Sequence, residues 1–96
     1  MNFLKFNSWG LMACSKGVYT IKNIESLKKI FNNNKKVFKN IWFRKLFFYE
    51  MNTKSYINFK DILVEFTFLN VSKNIKILKE ISSKLSFKIK LIHKIN

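Results

Sequence analysis

The spacing of apolar residues changes several times along this 96-residue chain, and the order of those changes limits what it can fold into. In four segments alternate residues are apolar, which predicts four β-strands that each bury one face. In two further segments the apolar residues recur at helical spacing, which predicts amphipathic helices. The resulting order is strand, helix, strand, strand, helix, strand. We therefore predict an α+β fold, a two-layer sandwich in which two helices cover one face of a small mixed or antiparallel sheet.

The boundaries of these elements follow from where each pattern begins and ends. The predicted strands are residues 6–14, 40–48, 60–69 and 87–95. The first predicted helix has Thr20 as its N-cap, because a threonine hydroxyl satisfies free backbone N–H groups. It ends at the asparagines of residues 32–34, because asparagine tolerates the left-handed conformation that closes a helix. The second predicted helix is residues 74–85, with Ser72 as a candidate cap.

Apolar stripes are expected to hold both helices on the sheet. The stripe residues are Ile24, Leu27, Ile30 and Phe31 in the first helix and Ile75, Leu78, Ile81 and Leu85 in the second. Two other segments are predicted to be connections. Residues 15–17 form a turn in which Gly17 is free to take a positive φ, and residues 49–58 form a short irregular link.

Residues 35–48, KKVFKNIWFRKLFF, combine a strong strand pattern with basic side chains. The strand predicted there places Ile41 and Phe43 on one side and Trp42 and Arg44 on the other, and residues 45–48 continue the alternation. Arg44 is the only arginine in the sequence, and its planar fork of donors suits phosphates better than a lysine does. Two interpretations stay open from the residues alone: an RNA contact, or a core strand with one solvated arginine.

The net charge of +14, from 19 basic residues against five acids, indicates a polyanionic partner. Such a chain folds against its own electrostatic repulsion, and a polyanion relieves that repulsion. Both nucleic acid and an anionic membrane surface would serve, but nucleic acid is the commoner partner of so small a basic domain. A sheet that carries lysines and aromatic rings can neutralise phosphates and stack on bases.

Residues with the chemistry of an active site are few. The single histidine, His93, lies among lysines and is interpreted as a non-catalytic edge residue. The five acids are scattered and form no paired motif for general acid–base catalysis. The single cysteine, Cys14, excludes an internal disulfide and a cysteine-based zinc site, and is interpreted as a small buried residue. We therefore predict a non-enzymatic protein that uses no cofactor and no metal.

The apolar residues of the N-terminal segment do not predict a secretion signal. Asn7, Ser8 and Gly10 interrupt them, whereas the core of a signal has roughly 7 to 15 consecutive apolar residues. Elsewhere no stretch reaches about 18 apolar residues without a charge, so no membrane insertion is expected.

Three segments resemble, in the same order, the pattern of one known family. Residues 8–20, SWGLMACSKGVYT, are similar to a Ser-Phe-Gly-Leu-x-Ala run followed by a basic glycine turn and a helix-starting threonine. Residues 35–47, KKVFKNIWFRKLF, resemble a basic segment and strand, with Trp42 at a tryptophan position and Arg44 at a basic one. Residues 79–92, KEISSKLSFKIKLI, look like a last helix and closing strand. The family is the bacterial-type large-subunit ribosomal protein L-sixteen, and the resemblance covers nearly the whole chain.

The chain also departs from that family's pattern. The family's basic N-terminal arm is largely absent, Phe43 replaces an aliphatic residue and Lys45 an apolar one. Residues 49–58 have no counterpart of the Gly- and Lys-rich Arg-Met-Gly loop that in the family reaches toward tRNA near the peptidyl transferase centre. The resemblance therefore implies rRNA binding near the tRNA-binding region, without direct tRNA contact. Such losses, with heavy use of residues that have AT-rich codons, favour an organelle-encoded mitochondrial protein over a plastid or reduced bacterial one.

We expect residues 1–96 to form one domain, a structural constituent of the mitochondrial large ribosomal subunit with neighbouring ribosomal proteins as partners. No small-molecule substrate is expected. The residues expected to contact large-subunit rRNA are Lys16, Lys35, Lys36, Lys39, Trp42, Arg44, Lys88 and Lys90. The alternatives are a free-standing basic domain that binds RNA or DNA, and a basic membrane-associated protein.

Overall fold

The strands of the computed structural model, which describes residue 4 and residues 7–44, 54–69 and 75–94, assemble into two sheets. The elements are, in chain order, β1 (Trp9–Ala13), β2 (Gly17–Thr20), α1 (Ile21–Asn33), β3 (Phe38–Phe43), β4 (Lys54–Ile57), β5 (Ile62–Phe68), α2 (Ile75–Ser83) and β6 (Ile89–His93).

The larger sheet has the strand order β3-β5-β1-β6, and every neighbouring pair is antiparallel. Strand β5 therefore lies between β1 and β3, and β1 lies between β5 and β6. The units β1–α1–β3 and β5–α2–β6 are thus two interlocked split βαβ units. Both helices pack on the same face, so the predicted α+β sandwich of order β-α-β-β-α-β is confirmed, with an antiparallel sheet.

The smaller sheet, which pairs β2 with β4, is absent from the sequence prediction. Strand β4 makes the predicted irregular link of residues 49–58 wrong for residues 54–57, and residues 49–53 lie outside the described part of the chain. Each strand has only four residues, too few for an alternating pattern to be recognised. One side chain from each strand, Tyr19 of β2 and Ile57 of β4, is buried, and this burial stabilises the pair.

Gly17 begins β2 and has no positive φ, so the predicted conformation of this residue is wrong. The glycine is needed for space instead. A Cβ atom at Gly17 would lie 2.6 Å from the Cβ of Phe87, which is itself buried. The missing side chain therefore lets the segment before β6 pack directly on the backbone of β2.

Helix α1 begins and ends where predicted, but the asparagine that closes it has a different conformation. Thr20 and Asn23 form a capping box, in which Asn23 N–H donates to Thr20 Oγ1 (3.1 Å) and Thr20 N–H donates to Asn23 Oδ1 (2.8 Å). Asn34 closes the helix with φ −125°, so the predicted left-handed conformation is wrong. Its side-chain amide donates to the carbonyl of Ile30 (2.7 Å) and satisfies a helix-end acceptor without that conformation.

The core is dominated by phenylalanine rings between α1 and the sheet. Phe31 of α1 contacts Phe38 at a ring-centroid distance of 4.6 Å, Phe66 at 5.5 Å and Phe43 at 5.8 Å. Phe38 also stacks on Phe68 across the β3–β5 pair. All four predicted stripe residues of α1 are buried: Ile24, Leu27, Ile30 and Phe31.

The predicted stripe of α2 is only partly correct. Ile81 is fully buried and Leu78 and Leu85 pack against the core, whereas Ile75 is 49% exposed and Ile77 packs instead. At about 100° per residue, Ile75 lies roughly 110° from the centre of the face formed by Ile77, Leu78 and Ile81. The candidate cap Ser72 lies outside the described residues.

Tyr19 carries a buried polar atom inside this core. Its side chain is fully buried and packs edge-on against Phe87, with ring centroids 6.2 Å apart. In the described part of the chain its hydroxyl has no hydrogen-bond partner. Burial raises the pKa of that hydroxyl above the usual tyrosine value of roughly 10.

We expect Tyr19→Phe to raise the free energy of unfolding by about 1 kcal/mol at neutral pH, because the variant keeps the ring and removes a buried hydroxyl that has no hydrogen-bond partner among the described residues. Above pH ~10 the phenol ionises in the unfolded state, whereas the buried phenol stays neutral in the native state. Ionisation therefore favours the unfolded state, and the wild-type protein loses stability as pH rises. The gap between variant and wild type should therefore widen there, by up to about 1.4 kcal/mol per pH unit. Urea unfolding at several pH values measures it, and a gap that is constant across pH would contradict the assignment.

Candidate nucleic-acid interface

The two faces of the larger sheet have different surroundings. The inner face, defined as the face that the helices cover, carries Trp9, Leu11 and Ala13 of β1 together with their strand partners. The face turned away from the helices is here named the outer face. Its residues are Gly10, Met12, Lys39, Trp42, Leu63, Glu65, Thr67, Lys90 and Ile92. The alternation predicted for the first, third and last strands is thereby confirmed for the described residues.

Leu4 and Asn7, which precede β1, contact the centre of the outer face. Leu4 is 5% exposed and lies so close to Gly10 that a Cβ atom there would approach Leu4 Cδ2 to 2.5 Å. Asn7 donates its backbone N–H to Glu65 Oε1 (3.2 Å). Exposed basic and aromatic side chains of this face therefore lie along its two outermost strands, β3 and β6.

Glu65 is a fully buried carboxylate in the middle strand β5, and Arg44 is its ion-pair partner. Arg44 Nη1 lies 3.2 Å from Glu65 Oε2, and the Arg44 side chain is 24% exposed. The Arg44 backbone N–H donates to the carbonyl of Leu63 (2.7 Å), which fixes the start of the side chain beside the carboxylate. A buried charge needs such a partner, because its desolvation cost is otherwise uncompensated.

This ion pair corrects the interpretation of Arg44 as a solvated arginine. Sequence reasoning counted Glu65 among the scattered acids and did not pair it with Arg44. The signal was present, because Glu65 is the only charged residue within the otherwise uncharged strand β5. Phosphate binding by Arg44 stays a prediction.

Trp42 is the large exposed aromatic side chain of the outer face, 53% exposed. A bulge between Lys39 and Trp42 shifts the register of β3 on β5, and Asn40 within it has φ 52°, the left-handed region that asparagine tolerates. Asn7 Nδ2 donates to the Asn40 carbonyl (2.7 Å) and holds the bulge. Because Lys39 pairs with Thr67 and Trp42 with Glu65, the two side chains project from the same face, about 7 Å apart along the strand.

The other residues predicted to bind RNA fall into three places. Lys90 is exposed on β6, about 14 Å from β3 across two intervening strands. Lys35 and Lys36 are exposed in the turn between α1 and β3. Lys16 and Lys88 are exposed at the opposite end of the sheet, next to the end of β1 and the start of β6. The structure thus brings Lys39, Trp42 and Arg44 together on one side of the sheet, places Lys35 and Lys36 before them, and separates Lys16, Lys88 and Lys90 from them.

Groups suited to catalysis are separate from one another in the described residues. His93 is exposed and stacks on Trp9, with ring centroids 3.9 Å apart and planes at 8°. Cys14 is half-buried rather than buried, with Sγ 3.9 Å from the Met12 carbonyl. No three histidine, cysteine or acidic side chains in the described chain lie close enough to hold a metal ion. Neither α1 nor α2 has the length and hydropathy of a membrane-spanning helix.

Comparisons of the chain with models of protein families and with curated proteins found no match.

Proposed function

We propose that this protein is a non-catalytic structural component of a mitochondrial large ribosomal subunit and binds large-subunit rRNA. The contact surface in this proposal is the β3 side of the outer face, with Trp42 stacking on a base and the neighbouring lysines neutralising phosphates. The net charge of +14 supports a polyanionic partner. The specific assignment to a ribosome rests on the three segments that resemble the L-sixteen family.

One observation carries the RNA-binding part of the proposal: an exposed tryptophan stands beside a lysine on a strand whose backbone is held in place. Trp42 is 53% exposed although exposing a large ring to water is unfavourable. The bulge at Asn40, held by Asn7, fixes the position of the strand that carries it. A ring that is rigidly presented beside a cation suits an unpaired base and its phosphate, because stacking then orders few additional groups.

The basic residues before β3 extend this surface. Lys35 and Lys36 lie in the turn that leads into β3, and Lys39 lies within the strand, so positive charge precedes the tryptophan along the chain. Lysine–phosphate contacts position RNA without reading its sequence, whereas a stacked base favours an unpaired nucleotide. The proposed ligand is therefore a junction or loop of rRNA where a base is unstacked.

We expect Trp42→Ala to weaken binding of the full chain to large-subunit rRNA by about 5- to 150-fold, the range typical of one stacked base. Lys39→Gln should weaken it less and lower its salt dependence. Lys76→Gln, at an exposed position of α2 away from the outer face, is the matched control and should leave binding unchanged. Filter binding with purified large-subunit rRNA measures all three.

Sedimentation of the tagged chain with mitochondrial ribosomes tests the assignment to the subunit. Co-sedimentation with large subunits, released by high salt, is the expected result. Co-sedimentation with small subunits, or with neither, would count against the ribosomal assignment. Equal binding to DNA and rRNA in the filter assay would favour a free-standing nucleic-acid-binding domain instead.

A further inference from the structure

Three turns meet at the end of the larger sheet where β1 ends and β5 and β6 begin. The backbone N–H of Lys60 donates to the carbonyl of Ala13 (2.9 Å), which joins the turn before β5 to the end of β1. On the other side of β1, Cys14 N–H donates to the Lys88 carbonyl (2.8 Å) and Lys88 N–H donates to Ser15 Oγ (3.0 Å). The three turns therefore form one continuous surface, here named the turn surface: residues 14–17, 58–61 and 86–88.

The turn of residues 58–61 has a fixed geometry. Asn58 N–H donates to Asp61 Oδ2 (2.8 Å), and Asp61 N–H donates to the Asn58 carbonyl (3.1 Å). Lys60 has φ 72°, a left-handed conformation that is unfavourable for a lysine and is imposed by the surrounding hydrogen bonds. The consequence is that Phe59, between these residues, is held at the tip of the turn with 57% of its surface exposed.

The turn surface around Phe59 carries more basic than acidic side chains. Lys60 Nζ lies 5.5 Å from the centroid of the Phe59 ring. Lys16 and Lys88, on the adjoining turns, are both exposed. The acid of this surface, Asp61, has its carboxylate engaged with the Asn58 backbone. An exposed ring beside one cation, on a surface that carries two more, is unfavourable for an apolar protein partner, which would have to desolvate those charges, and is favourable for a nucleic acid.

We propose that the turn surface is a second RNA contact, in which Phe59 stacks on an unpaired base and Lys16, Lys60 and Lys88 neutralise the phosphates on either side of it. This inference rests on the proposed function for the identity of the RNA, and it adds a site separate from Trp42. It also assigns a role in RNA binding to Lys16 and Lys88, which lie away from β3. Neither Phe59 nor Lys60 was predicted from the sequence, because an aromatic residue in a turn has no periodic pattern to distinguish it.

The test uses the full chain and two probes, purified large-subunit rRNA and a fluorescein-labelled single-stranded oligouridylate. Phe59→Ala and Phe59→Leu are each expected to weaken binding by about 5- to 150-fold, and Phe59→Trp to retain it, because stacking needs the ring and not only apolar surface. Ile75→Ala, at an apolar residue 49% exposed on α2, is the control for loss of an exposed side chain and should not change binding. Thermal melts of each variant confirm that the fold is kept.

The outcomes separate this inference from the proposed function. Wild-type binding to rRNA with no effect of Phe59→Ala would overturn the second contact and leave the Trp42 surface intact. Binding of the oligonucleotide that depends on Phe59, without binding to rRNA, would support the contact and overturn the ribosomal assignment. Full binding of the RNA probes by Phe59→Leu would show that the turn surface does not bind RNA by stacking of the ring, and would also overturn the inference.

Discussion

The affinity of this protein for large-subunit rRNA is expected to fall about a thousandfold when monovalent salt rises from roughly 50 to 200 mM. Each phosphate contact releases condensed counterions and contributes about −0.7 to −0.9 to the slope of log K against log salt concentration. The basic residues proposed to contact RNA are Lys16, Lys35, Lys36, Lys39, Arg44, Lys60, Lys88 and Lys90. With most of them engaged, the slope is about −5, and a fourfold rise in salt then gives the stated loss.

Single substitutions show how much each residue contributes to the slope of log K against log salt concentration. Lys35→Gln, Lys36→Gln and Lys90→Gln should each reduce its magnitude by about 0.7 to 0.9, whereas Lys76→Gln should leave it unchanged. Fluorescence anisotropy at five salt concentrations gives the slope for each variant. A wild-type slope shallower than about −2 would show that most of these lysines do not contact RNA, and the proposed interface would have to be abandoned.

The second large effect is on stability and concerns the buried ion pair. Arg44→Met is expected to lower the free energy of unfolding by about 3 to 5 kcal/mol, because it leaves the fully buried Glu65 carboxylate without its guanidinium partner. A domain of this size has about 5 to 15 kcal/mol of stability in total, so the variant would be close to unfolding. Urea denaturation followed by tryptophan fluorescence measures the change.

A double-mutant cycle distinguishes the ion pair from simple loss of packing. Arg44→Met combined with Glu65→Leu should recover most of the lost stability, because a buried ion pair is often replaceable by apolar side chains at little net cost. Lys36→Met, at an exposed turn position, should change stability by less than about 0.5 kcal/mol. If the effects of the two core substitutions simply add, Arg44 and Glu65 are not coupled and the assignment is wrong.

This cycle also matters for any RNA-binding experiment on Arg44. A charge reversal there would place two carboxylates side by side in the sheet, and loss of binding would then report unfolding. The Arg44→Met, Glu65→Leu pair removes the arginine while keeping the fold, so its rRNA affinity tests whether Arg44 also contacts phosphate. Binding equal to wild type would assign Arg44 to stability alone.

Sequence reasoning predicted the elements whose side chains obey one regular spacing. Helix α1 was recognised because Thr20 caps it and Ile24, Leu27 and Phe31 repeat at helical intervals. Strand β5 was recognised because Val64 and Phe66 alternate with Leu63 and Glu65. The β2–β4 pair was missed because it depends on contacts between residues more than thirty positions apart, and a four-residue strand carries little local signal.

The candidate site was predictable only in part for the same reason. Trp42 and Lys39 were identified from a local run of basic and aromatic residues. The pairing of Arg44 with Glu65 is set by the register of β3 on β5, which a bulge at Asn40 shifts. Phe59 becomes a candidate contact residue only in the folded protein, where three turns that are distant in the sequence form one surface. The basic and aromatic side chains of the site could therefore be identified from the sequence, but the residues that they contact in the fold could not.

The bulge in β3 has a further consequence for the edge of the sheet. Strands β3 and β6 are the outermost strands of the sheet in the described chain, and an outermost strand with a regular backbone can template pairing with another molecule. In β3 the left-handed Asn40 and the charged Lys39 interrupt the regular backbone, and in β6 Lys90 adds a positive charge. These features make both edges poor templates for pairing with another molecule, and we expect them to limit aggregation of a chain that is rich in phenylalanine.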